Sequence, residues 1–190
     1  NVLDAILKEM NSVDIADFLN EIDTKYLVAA FRILPKDVSA EVFSYMDSDG
    51  QENIVHSITD SELHRLVDDM YIDDTVDIIE EMPANVVKRI LKNTDKEDRE
   101  IINKILHYPK DSAGTVMTTE YVRFTGDMTV ADALLHIRRV AIDKETIYTC
   151  YVTDRNRHLL GIVTAKELLL SSPETLIGDI MDENVVFATT

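Results

Sequence analysis

DVSAEVFSYMDSDGQENIVHSITDSELHRLVDDMYIDDTVDIIEEM, residues 37–82, is built on a period of twelve. Its apolar triplets Val42-Phe43-Met46, Ile54-Val55-Ile58, Leu66-Val67-Met70 and Ile78-Ile79-Met82 each begin twelve residues after the last. The same step extends outward to Ile6-Leu7-Met10, Phe18-Leu19-Ile22 and Ala30-Phe31-Leu34 on one side and to Ile90-Leu91-Thr94 on the other, with only Thr94 polar. Spacing of i, i+1, i+4 makes one narrow helical stripe of about two turns, so the pattern predicts eight short helices. Stripes this short bury nothing alone, and the units are expected to stack into a superhelix with a continuous core. Five positions before the central stripes stand Asp37, Asp49, Ser61, Asp73 and Asn85, the side-chain types that cap helix N-termini. Pro35 and Pro83 share one phase just after their stripes, where a helix stops.

Charge singles out the same stretch. Between Asp37 and Val87 there are fourteen acidic residues and one base, Arg65. The whole chain of 190 residues carries −17, of which residues 1–108 contribute −13 (24 acids, 11 bases) and residues 109–190 contribute −4 (12 acids, 8 bases). Two like charges about 4 Å apart at an effective dielectric near 20 repel by on the order of 4 kcal/mol. Such a surface calls for counter-ions, a basic partner or a divalent cation. On helical geometry Asp73, Asp77 and Glu80 fall opposite the Ile78-Ile79-Met82 stripe, with Asp73 one turn before Asp77. An acid at a helix start also needs no ligand, because capping and the helix dipole favour it there. That local reason leaves the scarcity of bases unexplained.

Several function classes are excluded or disfavoured. Nucleic acid is not the expected partner, since Lys88-Arg89 and Arg138-Arg139 are isolated basic pairs. No apolar run approaches the roughly 18 residues a bilayer-spanning helix requires, so the chain reads as soluble. The five histidines are scattered, no phosphate-loop pattern occurs, and Cys150 reads as a core residue on a strand. No catalytic residue and no cofactor-binding residue is assigned, and the chain reads as no enzyme.

After Leu106 the period is lost, and His107 to Gly114 has linker chemistry, which places a boundary near Tyr108 between residues 1–108 and 109–190. Beyond it the expected order is strand (121–125), amphipathic helix opened by Thr129 (129–140), strand (147–154), polar turn, strand (159–164) and short helix (165–170). Gly161 reads as a strand glycine required by packing. VVFATT, residues 185–190, is strand-like and has no partner after it, so the chain looks truncated.

The order MTTEYV, TVADALLHIRR, IYTCYVTDRNRHLLGIVTAKELL resembles a cystathionine-β-synthase (CBS) domain. DSAGTVMTTEYV (111–122), following an acidic helical superhelix, resembles the joint in the cytosolic part of the MgtE family of magnesium transporters. The resemblance implies an α superhelix of short helices, the family's N domain, followed by a small α/β CBS-type domain and the start of a second. It further implies Mg²⁺ sensing: Mg²⁺ bridges acidic surfaces, compacts a homodimer that pairs through CBS domains, and closes a membrane pore absent from this chain. The full-length protein would then sit at the cell membrane with this part on the cytoplasmic face. Glu41 in SAEVFSYM and Asp73 and Asp77 in the D-D-x-x-D run match the family's metal-binding positions. The family's ATP positions fall near Thr149 and at Lys166-Glu167, and all three differ from the aromatic and the Arg-Asp pair expected there. The rival reading is a helical interaction scaffold with no preference for Mg²⁺, because stacked short helices also resemble the middle segments of the flagellar motor switch protein FliG.

Overall fold

A computed structural model describes residues 6–7, 9–110 and 112–188, without the side chains of Lys36, Asp37 and Asp143. The chain forms two compact units, divided between residues 111 and 112.

In the first unit eight described helices follow one another: α1 (Ser12–Glu21), α2 (Thr24–Phe31), α3 (Lys36–Tyr45), α4 (Ser48–Ser57), α5 (Asp60–Asp68), α6 (Ile72–Glu81), α7 (Ala84–Asn93) and α8 (Lys96–Ile105). The last continues the period one step beyond Thr94, with Ile102 and Ile105 buried. Each repeat is a helix of eight to ten residues joined to the next by a short extended link. The third member of most stripes lies in that link: Met46, Ile58, Met82 and Thr94 are C-cap residues with ψ of 157°, 159°, 149° and 142°. They remain buried, so the stripe is two helical residues plus one extended one.

The expected caps are corrected by two positions. The N-caps are Asn11, Asp23, Pro35, Asp47, Thr59, Tyr71, Pro83 and Asp95, seven residues before each stripe. Asp47 accepts from the Gly50 amide at 2.7 Å, and Thr59 forms a reciprocal capping box with Glu62. Asp49, Ser61, Asp73 and Asn85 are therefore second-position residues inside the first turn; the Asp37 side chain lies outside the described residues. Pro35 and Pro83 open the next helix as much as they close the last, at φ near −55° and −59°.

A further buried position lies three residues before five of the stripes, where Ile15, Leu27, Gln51, Leu63 and Thr75 are enclosed, while Ser39 and Val87 at the same phase are half-buried. The polar members are satisfied: Gln51 Nε2 donates to the Phe43 carbonyl at 2.8 Å and Thr75 Oγ1 to the Tyr71 carbonyl at 3.1 Å. Thr94 likewise donates to the Ile90 carbonyl at 3.0 Å, which lets a hydroxyl stand in an apolar stripe. Helices pack on the helix two further along, α1 on α3, α3 on α5, α5 on α7, α2 on α4 and α6 on α8, as a superhelix of stacked units requires.

The second unit is a sheet of order β1-β2-β3 (Tyr121–Phe124, Thr146–Thr153, Leu159–Thr164) with helices α9 (Val130–Val140), α10 (Ala165–Leu170) and α11 (Ile177–Ile180). β1 and β2 are parallel across the α9 crossover; β2 and β3 are an antiparallel hairpin. Thr129 caps α9 by accepting from Asp132, as expected. Cys150 is fully buried in this core and desolvation pushes its thiol up to about 11, which makes it inert packing. Residues 185–188 form no strand, and Val186 and Phe187 are exposed; 189–190 lie outside the described residues.

Gly161 owes its identity to close approach. A Cβ there would stand 2.7 Å from the Asp182 carbonyl oxygen and 3.1 Å from Met181 Sδ, beside the Ile162–Asp182 bridge. Gly161→Ala is expected to open that bridge and cost about 1–3 kcal/mol, as overpacking does. Faster exchange of the Ile162 and Asp182 amides checks it; unchanged protection of both contradicts it.

Candidate functional site

Helix α6 carries the densest acids of the first unit. Its inner face buries Ile72, Thr75, Val76, Ile78 and Ile79, which turns Asp77 and Glu80 to the outside. Asp73 differs from expectation: it is half-buried, with Oδ1 withdrawn from solvent, rather than on the open face. Asp73 and Asp77 remain one turn apart on this helix. Partial desolvation, then repulsion from Glu80 and Glu81, pushes the Asp77 carboxyl above the ordinary 3.8.

Glu41 is exposed on α3, where its Oε2 accepts from Ser12 Oγ of α1 at 2.7 Å. Helix α3 packs against α6, so the elements bearing the three expected residues are neighbours. They do not close into one coordination sphere: among the described residues no three His, Cys, Asp or Glu side chains converge on a point that could hold a metal ion. Hard carboxylate oxygens one turn apart do fit Mg²⁺, which keeps most of its waters and takes one or two protein carboxylates.

Elsewhere two of the window's acids, Glu62 and Asp60, are paired with bases from outside Asp37–Val87. Arg32 donates to Glu62 through Nε at 2.9 Å and Nη2 at 3.1 Å. Those bonds, with the ones from Thr59, hold the Glu62 carboxyl down at about 2. Arg89 and Lys92 of α7 reach Asp60 of α5 at 3.0 Å and 3.1 Å and lower its carboxyl as well. Arg89 also donates to the Val55 and Ile58 carbonyls, tying the end of α4 to α7. Counting bases along the chain missed these pairs because they join residues about thirty positions apart, two helices on. A second like-charge group was also missed: Asp98 is raised by burial first and then by Asp95, Asp68 and Glu97.

Because the folded value of Glu62 lies below the ordinary 4.5, its contribution to stability is present above 4.5 and is lost as pH falls toward about 2. Arg32→Ala is expected to raise the Glu62 midpoint and flatten acid unfolding in that window. Carboxyl-carbon NMR titration reads it directly, and an unmoved midpoint would show that Thr59 alone sets the value.

In the second unit Thr149 pairs with Thr164 across the β2–β3 hairpin. Glu167 Oε2 accepts from the Thr164 amide at 2.7 Å and hydroxyl at 2.8 Å, so this carboxylate is engaged in capping α10. No helix among the described residues is long and apolar enough to cross a membrane.

Comparison with known proteins agrees with this architecture. The family profile of the MgtE intracellular N domain matches residues 10–111, and that of the CBS domain matches residues 113–174. The magnesium transporter MgtE of Thermus thermophilus is 30% identical over 97% of the chain and 42% of its own length. That of Bacillus subtilis is 24% identical over 97% of the chain and 41% of its own length. The chain thus spans about two-fifths of these relatives. Among solved structures, the cytosolic domain of the Mg²⁺ channel MgtE in complex with ATP superposes with a TM-score of 0.88 at 29% identity, covering 97% of this chain and 75% of that one. The soluble part of a magnesium transporter gives 0.86 at 26% identity, covering 96% and 72%. With the N-domain profile spanning more than half of its residues and a CBS domain following, the chain belongs to the MgtE family.

Proposed function

We propose that this chain is the cytosolic Mg²⁺-sensing region of a magnesium transporter, in which residues 1–108 are the acidic sensor and 109–190 the linker and first CBS-type module. The observation that carries the reading is Asp77: a carboxylate one turn from Asp73, pushed upward by desolvation and by Glu80 and Glu81. Such a group is destabilised as an anion and gains from a nearby dication. When bound, Mg²⁺ supplies two positive charges and a hydration shell through which carboxylates of facing surfaces are bridged. Asp73 and Asp77 would hold that charge on α6, with Glu41, which accepts from Ser12, standing on α3, a helix packed against α6. That no three-ligand cluster forms among the described residues is compatible with a weak shared site whose remaining ligands come from another surface. Without the cation the acidic surfaces separate; with it they close, the domains compact, and an attached pore shuts. Exposed Ile142, Tyr148, Leu169 and Leu170 on the second unit support pairing of two copies through the CBS-type module. No catalytic role is assigned to any residue.

A backbone amide titration with MgCl₂, against NaCl at equal ionic strength, tests the proposal. Saturable, Mg²⁺-specific shifts at Glu41, Asp73 and Asp77 support it. Diffuse shifts matched by NaCl reject it in favour of a scaffold without cation sensing.

A further inference from the structure

The acidic first unit carries a groove lined by basic residues. A groove of about 650 Å³ runs along α7 with Ala84, Val87 and Leu91 as its apolar strip and Lys88, Lys92 and Arg99 as its charges. Ala84, Val87 and Leu91 share one helical face, and Val87 and Leu91 are only half-buried although the equivalent Leu63 and Val67 of α5 are enclosed, so α7 keeps part of its apolar surface open. The repeat explains why. On α5, Asp60 meets Arg89 and Lys92 of α7, and His64 Nδ1 lies 2.7 Å from the Asn93 carbonyl of α7. Twenty-four residues on, two repeats later, the positions of Asp60 and His64 are taken by Ala84 and Lys88. Ile58, whose carbonyl receives Arg89, corresponds to Met82, which also lines the groove. By this register the groove is the seat of the helix that would follow α8 and pack on α7. The chain does not provide one: among the described residues, 108–117 hold only the 3₁₀ turn Ala113–Thr115.

We infer that this open end of the stack receives a short, acidic amphipathic helix from a partner protein, which lies along Ala84, Val87 and Leu91 and sets its carboxylates against Lys88, Lys92 and Arg99. The shape is that of a missing repeat helix, and the mode is a helix laid in a groove, read by apolar anchors at i, i+3 and i+7. Charge selects the partner. Lys88, Lys92 and Arg99 line the groove, Lys92 also reaching Asp60 and Arg99 donating to the Leu91 carbonyl, and they oppose an acidic segment where residues 1–108 as a whole carry −13, so complementarity gives both register and discrimination against basic helices. The inference does not depend on Mg²⁺ sensing, since none of Glu41, Asp73 and Asp77 lines the groove.

The probe is a peptide of residues 71–82, YIDDTVDIIEEM, blocked at both ends, which carries an apolar stripe and five acids with no base. It is titrated into the ¹⁵N-labelled whole chain, alongside a control in which the five acids are replaced by lysine. Expected are saturable amide shifts at Val87, Lys88 and Leu91 with the acidic peptide only, weakened at least about fivefold in Lys88→Glu. Lys88 is exposed, so this substitution leaves the core untouched, and Lys92→Gln provides a second, milder variant. Equal shifts with both peptides, equal affinity in both variants, or no shift up to about 1 mM peptide overturns the inference. Sedimentation velocity separates the remaining occupant: self-association of the chain that Lys88→Glu abolishes assigns the groove to a second copy and overturns the partner reading.

Discussion

Alanine at both Asp73 and Asp77 is expected to weaken Mg²⁺ binding by at least about tenfold, and in a full-length protein to leave the pore less inhibited by cytosolic Mg²⁺. The argument rests on where the charge sits. Both carboxylates lie on α6 one turn apart, and Asp77 is already unfavourable as an anion because of desolvation, Glu80 and Glu81. Its raised folded value means that the cation-free chain gains stability as pH falls through that value, above 3.8, while protons compete with Mg²⁺ for the same oxygen atoms. Removing Asp77 therefore does not weaken the apo fold. Removing Asp73 forfeits a carboxylate in the first turn of a helix, a position that contributes roughly 0.3–1 kcal/mol. A folding defect and a site defect are thus separable. Wild-type chain at a hundredfold excess of Mg²⁺ over its Kd gains about 2.7 kcal/mol against urea, and the double variant should lose that gain while keeping its cation-free midpoint. Unchanged Mg²⁺-linked stabilisation would remove both residues from the mechanism.

Phe43→Ala should cost the first unit about 3–5 kcal/mol, the largest stability loss expected of one substitution here. Phe43 is 1% exposed and meets Phe31 edge to face, with ring centroids 6.0 Å apart. Its backbone carbonyl also receives the Gln51 side chain, so movement of α3 into the cavity would strain a buried hydrogen bond of α4. That coupling limits relaxation and keeps the cost at the high end. A domain stable by 5–15 kcal/mol would lose a large part of its margin. Urea unfolding followed by far-ultraviolet circular dichroism measures it; a change below about 1 kcal/mol would mean the stack closes freely over the gap.

The superhelix and the CBS-type α/β unit were legible because period and alternation report which residues face a core. Val42, Phe43, Ile54, Val55, Ile78 and Ile79 are all buried as the triplets require. Cap positions differ from the expected ones because the third residue of the stripe is extended, so the helix starts two residues earlier than a count back from a wholly helical stripe implies. Gln51 and Thr75 were not legible because a polar side chain can occupy a core position when a backbone carbonyl on the preceding helix or one turn away accepts its proton. The partners of Glu62 and Asp60 were not legible for a topological reason: Arg32, Arg89 and Lys92 are remote in sequence from the carboxylates they meet. Glu41, Asp73 and Asp77 were chosen by family resemblance and helical phase. Neither says whether three side chains meet, because convergence depends on how α3 and α6 lie across each other.

The extended links set a rule of chain-length arithmetic. With only Ile58 and Thr59 between α4 and α5, or Met82 and Pro83 between α6 and α7, there is no slack to absorb a miscount. One added residue within a helix swings every later apolar position by about 100° around its axis and carries buried side chains to the outside. Since a helix packs on the second one along, even a whole extra repeat exchanges the two sides of the stack, and only an added pair restores them. Length variation in this unit is therefore quantised in steps of twenty-four residues, with free insertion left to the ends.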